Sequence, residues 1–263
     1  AELEQSPLLT KVEQSENKIT CLVANSKQDA SQVIAEHICS KIRAAEQEGR
    51  KFVLGLATGS TPIPIYNALV QLYKDNKISF ENVITINLDE YYPIQEEDKN
   101  SYHFFMNQNL FQHVNFRPEN NHIPSGTISE DAVEDHCREY EEIIRENGID
   151  LQILGIGRSG HIGFNEPGSQ KDSVTRIIEL HEQTVTDAAP AFDGEENVPK
   201  KAITMGIDSI FQARECILCA WGANKAKIVR TALRSDPSDQ LPASFLQLHK
   251  NSVFVVDKEA ASL

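Results

Sequence analysis

The chain has 263 residues, 40% of them hydrophobic and 24% charged, the composition of a globular protein able to bury a full core. Its net charge of −14, from 25 basic and 39 acidic residues, argues against a nucleic-acid partner, because binding a phosphate backbone needs a basic face. No apolar run reaches the roughly 18 residues of a membrane span, so no membrane partner is expected.

The N-terminal AELEQSPLL has neither the basic region nor the apolar core of a signal peptide, and it lacks a starting Met. The sequence therefore reads as one that can sit within a longer protein. Six apolar, β-branched runs follow: ITCLV from Ile19, FVLGLA from Phe52, VITINL from Val83, LQILGI from Leu151, ECILCAW from Glu215 and SVFVVD from Ser252. Helical patterns over 27–48, 61–76, 101–112, 129–146 and 223–234 lie between them. In the first helix Val33, Ile34, His37, Ile38 and Ile42 fall on one stripe. Near-continuous apolar strands alternating with helices predict a parallel sheet covered on both faces. Right-handed crossovers then give an α/β, doubly wound, mostly parallel sheet of Rossmann-like type, read as a single domain over residues 1–263. The stretch 181–200 is the one long irregular segment, the length of a lid or binding loop.

The five cysteines are odd in number and show no framework spacing. Cys216 and Cys219 resemble a metal pair, but alternation along a strand sends them to opposite faces. They read as buried thiols in a reducing, cytoplasmic setting, and no metal site is expected.

Ligands of doubly wound sheets sit beyond the carboxyl ends of the strands, and three strand ends carry more polar residues than a strand end requires. After FVLGLA, the turn Thr58-Gly59-Ser60-Thr61 leads into a helix with Pro62 near its start. Its amides and hydroxyls suit a phosphate, although a plain N-cap by Ser60 or Thr61 would account for the same residues. After VITIN, the chain runs into Asp89-Glu90-Tyr91-Tyr92. A carboxylate there serves as a general base if it faces the crevice, or merely ends the strand in solvent. After DLQIL comes LGIGRSGHIGFNEPGS, from Leu154 to Ser169. Gly155, Gly157 and Gly160 let a ligand approach the main chain, and an imidazole such as that of His161, with an ordinary pKa of roughly 6.5, can take and give a proton.

The segments LGLATGSTP, NLDEYY, SYHFFM, GIGRSGHIGFNEPGS, VPKKAITMGI, WGANKA and LQLHKNSVFVVDKEA resemble the glucosamine-6-phosphate deaminases, also called isomerases, in order from about residue 18 to the C-terminus. The resemblance implies a sugar-phosphate isomerase fold and the conversion of glucosamine 6-phosphate and water to fructose 6-phosphate and ammonia without a cofactor. It implies that His161, held by Glu166, opens the sugar ring, and that Asp89 moves a proton from C2 to C1. Glu166 or His161 then protonates the leaving nitrogen. It also implies phosphate contacts from Thr58, Gly59, Ser60 and Thr61 and from Lys225.

Two positions depart from the family pattern. Arg158-Ser159 stands where the family usually has Asn-Asp, so a hydroxyl replaces a carboxylate beside His161. Pro190 stands where a phosphate-binding arginine aligns. The expectation is that Arg158, Ser159 and Gly160 line the site and that Arg158 substitutes for the lost arginine, with an unphosphorylated or differently substituted amino sugar as the competing substrate. Arg176 matches an arginine of the family's effector site, but Ile178 stands in place of a lysine, so allosteric activation is not expected. A homo-oligomer is compatible with the sequence. The rival readings are a 6-phosphogluconolactonase-like hydrolase, which would not need NLDEYY and FNEP, and a catalytically weak amino-sugar-phosphate sensor domain, which would not need Asp89, His161 and Glu166 together.

Overall fold

In the computed structural model, which describes residues 3–263, the chain forms strands β1 (Leu9–Lys11), β2 (Thr20–Ala24), β3 (Phe52–Leu56), β4 (Val83–Asn87), β5 (Asp89–Tyr92), β6 (Asn121–His122), β7 (Ile149–Leu154), β8 (Arg176–Glu179), β9 (Lys201–Thr204), β10 (Ala213–Ala220) and β11 (Ser252–Asp257). The helices are α1 (Lys27–Gln47), α2 (Ile63–Lys74), α3 (Tyr102–Asn109), α4 (Val133–Asn147), α5 (Glu182–Ala188), α6 (Ile207–Phe211) and α7 (Ala226–Arg234). Eight strands make one sheet in the order β1-β2-β11-β10-β7-β3-β4-β6. Every neighbouring pair in it is parallel except β1 with β2. All six expected apolar runs lie in this sheet.

The sheet is largely apolar on both faces, as its predominantly hydrophobic strands require. Leu54, Leu56, Ile153, Ile217 and Val255 face α1 and α2. Val53, Ile86, Leu154, Leu218 and Val256 face α4, α6 and α7. A fully buried side chain of this size contributes about 1.5–3 kcal/mol, so the two faces together supply the main driving force for the fold. Helix α1 starts where Ser26 caps it, accepting the Asp29 N–H at 3.1 Å. Its stripe Val33, Ile34, His37, Ile38 and Ile42 is buried as the periodicity predicts. Cys216 and Cys219 belong to opposite faces of the sheet, and the five cysteines are buried and unpaired.

A second, three-stranded antiparallel sheet, β5-β9-β8, does not follow from the sequence reading. The chain changes sheets at Leu88. Its N–H still bonds Leu56 O of the large sheet at 3.1 Å, while its carbonyl accepts Met205 N–H at 2.8 Å beside the small one. Asp89 is therefore the first residue past the edge of the parallel sheet. The stretch 181–200, expected to be irregular, contains α5 and two 3-10 turns, Ala189–Phe192 and Glu195–Asn197.

Candidate active site

The three polar strand ends converge on one cavity of about 200 Å³, lined by Ala57, Thr58, Gly59 and Thr61 from the first, Leu88 and Asp89 from the second, and Gly155, Ile156, Gly157, His161, Gly163 and Phe164 from the third. Tyr102 of α3 completes the wall.

The first loop is held from both ends. The buried Tyr66 hydroxyl accepts the Ala57 N–H at 3.1 Å and donates to Ala57 O at 2.5 Å, and Trp221 Nε1 donates to Thr61 O at 2.9 Å. Between these anchors Gly59 takes φ +92°, a conformation that favours glycine. The amides of Thr58, Gly59, Ser60 and Thr61 donate to none of the described residues. Four open donors ahead of the twelve-residue α2 form a cradle for an anion. Ser60 is exposed and stands outside the cavity wall.

Asp89 is 6% exposed, and its oxygens accept no hydrogen bond from the described residues. Burial, and then the neighbouring charge of Glu90, hold its carboxyl well above the usual carboxylate range. Glu90 faces away. It is fully buried and accepts the Tyr102 N–H at 2.9 Å and the His103 N–H at 3.0 Å, capping the N-terminus of α3, with His103 Nδ1 at 2.8 Å. One carboxylate of the pair is thus structural and the other is presented to the cavity.

The third loop folds tightly. Gly157 N–H donates to His161 O at 2.9 Å, and Gly160 N–H donates to Gly157 O at 2.9 Å. Gly160 has φ +81° and its backbone faces Leu241, so it is packed rather than open to the cavity. His161 is mostly buried, which lowers its pKa and keeps the imidazole neutral; the charge of Glu166 opposes that shift and Lys225 adds to it. Its Nδ1 lies 3.2 Å from Ser159 Oγ.

Glu166, which the resemblance has hold His161, makes its hydrogen bonds elsewhere. It is 5% exposed; its Oε2 accepts the His181 N–H at 2.8 Å and lies 3.2 Å from His181 Nδ1, and its Oε1 accepts the Thr184 hydroxyl. It lines an adjoining groove with Arg176 rather than the cavity wall. Lys225 Nζ donates to Ile156 O at 2.6 Å, on the cavity rim, and burial lowers its pKa. Arg158 does not enter the cavity: its exposed guanidinium pairs with Asp187 at 3.1 Å. Arg176 donates to Asn165 Oδ1 at 2.8 Å and to Ser169 Oγ at 3.3 Å, and Ile178 packs with Tyr91, Phe164 and Phe192. Sequence reasoning missed Tyr102, whose phenol burial pushes well up, although it lies in the SYHFFM segment that carries the resemblance. It also missed His181 and Thr184, because nothing local marks them as partners of Glu166.

A buried carboxyl and a neutral imidazole on one cavity, beside an open amide cradle, define a general acid–base enzyme acting on a small anionic substrate. The profile of the glucosamine-6-phosphate isomerases/6-phosphogluconolactonases matches residues 25–255, and the chain belongs to that family. It is 48% identical over 212 residues to the glucosamine-6-phosphate deaminase of Halothermothrix orenii, covering 80% of this chain and 87% of the relative. It is 44% identical over 243 residues to that of a Thermoanaerobacter species, covering 92% and 94%. The solved structure of a monomeric glucosamine-6-phosphate deaminase superposes with a TM-score of 0.87 at 41% identity, covering 92% of this chain and 99% of that one. The 6-phosphogluconolactonase of Thermotoga maritima shares the fold, with a TM-score of 0.68 at 23% identity over 90% and 98% of the two chains.

Proposed function

We propose that this protein is a glucosamine-6-phosphate deaminase, converting glucosamine 6-phosphate and water to fructose 6-phosphate and ammonia. The observation that carries the reading is Asp89: a buried carboxyl without a hydrogen-bonding partner among the described residues, facing the same cavity as His161. A lone, desolvated carboxylate suspended over a substrate is what a proton shuttle between adjacent carbons requires.

The phosphate sits in the amides of Thr58 to Thr61, with Lys225 turning from Ile156 O toward it. His161, neutral in this setting, moves the proton from the anomeric hydroxyl to the ring oxygen and opens the pyranose. Asp89 takes the C2 proton, giving an enolamine, and returns it to C1, giving the ketimine. Water adds to that ketimine, and ammonia leaves after protonation by His161 or Glu166. Apart from the addition of water at C2 and the loss of ammonia from it, each step is a proton transfer among these side chains, the sugar and water, so the reading invokes no cofactor. Ser159 takes the position of the usual carboxylate at Nδ1 of His161 and orients the ring without adding charge. Arg176 is committed to Asn165 and Ser169, and Ile178 to an apolar cluster, which supports an enzyme without allosteric activation. Five buried, unpaired thiols support a reducing, cytoplasmic location.

Ammonia release from glucosamine 6-phosphate and from glucosamine, each beside Asp89→Asn, tests the reading. Release from the phosphorylated sugar alone, abolished in the variant, is the expected result. Release from neither sugar, with sugar-phosphate binding intact, would replace the enzyme with a sensor.

A further inference from the structure

We propose that Thr184, with His181, is a positioning clamp for Glu166, so that the segment carrying α5 controls the orientation of this carboxylate in the reaction. The proposal rests on the deaminase reading above. Glu166 belongs to the glycine-rich loop, yet that loop gives its carboxylate no hydrogen-bond donor. All of its donors come from a single turn 15 to 18 residues further on: the His181 amide at 2.8 Å, the His181 imidazole at 3.2 Å, and the Thr184 hydroxyl. His181 is the residue ahead of α5, with φ −63° and ψ 150°. The two oxygens are therefore pinned from the same side, one by the amide and one by the hydroxyl. That leaves the carboxylate a single orientation relative to His161, whose ring senses its charge.

The same bonds hold the segment. Helix α5 has seven residues and buries none of them. Its packing is partial: Val185 and Ala188 are half-buried against the cluster of Tyr91, Phe164 and Phe192, little for a helix this short to stand on. Its other ties to the body include Asn100 Nδ2 donating to Ala191 O at 3.0 Å, Phe192 edge-on to Tyr91 with ring centroids 5.3 Å apart, and the exposed Arg158–Asp187 pair. Only the Glu166 bonds join it to a residue of the reaction. A clamp of this kind acts on turnover rather than on substrate affinity, because neither Thr184 nor His181 lines the substrate cavity.

The test compares Thr184→Val with Thr184→Ser in steady-state ammonia release, beside the parent enzyme. Valine keeps the shape and removes the donor; serine keeps the donor. The expected result is a kcat lowered roughly tenfold to a hundredfold in Thr184→Val, less than the roughly hundredfold to ten-thousandfold that a general acid–base group itself contributes, with KM nearly unchanged and most of kcat recovered in Thr184→Ser. A kcat in Thr184→Val equal to the parent's, a rise in KM alone, or a serine variant as slow as the valine variant would overturn the clamp. Should Thr184→Val fail to fold, His181→Pro against His181→Ala asks the same question. Proline fits φ −63° and removes the amide donor, whereas alanine keeps it. A lower kcat in the proline variant supports the clamp and equal values overturn it. A parent enzyme that binds the sugar phosphate but releases no ammonia sinks the deaminase reading itself, and the clamp with it.

Discussion

The imidazole of His161 occupies the space beside Gly157: a Cβ on that glycine would come 2.0 Å from Cε1 and 2.1 Å from Nε2. Glycine is required here for closeness rather than for a left-handed backbone, since Gly157 does not have a positive φ. Gly157→Ala should therefore leave the fold in place and push the ring out of the cavity. The expected loss in kcat is about a hundredfold, the scale of a displaced acid–base group, with a nearly native circular dichroism spectrum. A fully active alanine variant would show that His161 needs no such seat.

Ser159 is the second determinant of that imidazole. A hydroxyl 3.2 Å from Nδ1 orients the ring but gives an imidazolium no countercharge. Burial therefore dominates and the pKa of His161 stays below its ordinary value. Ser159→Asp places an anion at Nδ1 and favours the protonated ring. The expected outcome is an upward shift of the His161 titration followed by NMR, while Ser159→Ala leaves the pKa low and costs orientation, seen as a several-fold lower kcat. An unmoved titration in the aspartate variant would mean that the carboxylate has turned away from the ring.

These residues also show where sequence reasoning reaches and where it stops. The parallel sheet is legible because buried strands such as β3 are apolar throughout and others, such as β4 and β7, are mostly apolar. The three polar strand ends are legible by contrast with them. The small sheet is not, since β5, β8 and β9 have four residues each and gain their pairing only when Leu88 turns the chain out of the large sheet. Helix α5 is hidden for the same reason: it buries none of its own residues, and no apolar stripe announces it. Asp89 and His161 fall on one cavity as their motifs imply. The donors to Glu166 lie 15 and 18 residues away, and no local pattern couples them. Arg158 is the opposite case. Its sequence position invites a role in phosphate binding, but an exposed pair with Asp187 takes its charge out of the cavity.

Lys225 carries the phosphate prediction. Its ammonium is half-buried, with its pKa lowered by desolvation, and Ile156 O at 2.6 Å holds it at the cavity rim. A hydrogen bond to a charged group contributes about 1.5–3 kcal/mol, or roughly a tenfold to hundredfold change in affinity. Lys225→Ala should raise KM for glucosamine 6-phosphate by that factor and weaken inhibition by inorganic phosphate in parallel, with kcat changed far less. If KM and phosphate inhibition both stay as they were, the cradle from Thr58 to Thr61 binds the anion without it.

In the proposed mechanism Asp89 links activity to stability through one ionisation. Burial and the charge of Glu90 raise its carboxyl pKa in the folded protein above the value it has in the unfolded chain. The native state therefore holds this proton more tightly than the unfolded state does. The corresponding stabilisation is complete below the ordinary aspartate pKa and is lost as pH rises through the elevated one, so at neutral pH the ionised form is carried at a cost. The proposed reaction needs that costly form, because only a carboxylate can take the C2 proton. The acid limb of kcat/KM should accordingly fall above the usual carboxylate range and disappear with the activity in Asp89→Asn. The same substitution removes the buried charge. If the relief is about 1 kcal/mol, Tm at neutral pH should rise by roughly 2–4 °C for a chain of this size, and the gain should shrink as the comparison is repeated at lower pH. A variant that is inactive and less stable than its parent at every pH would show that the carboxylate is satisfied by partners in solution, and that Asp89 is not carried at a cost.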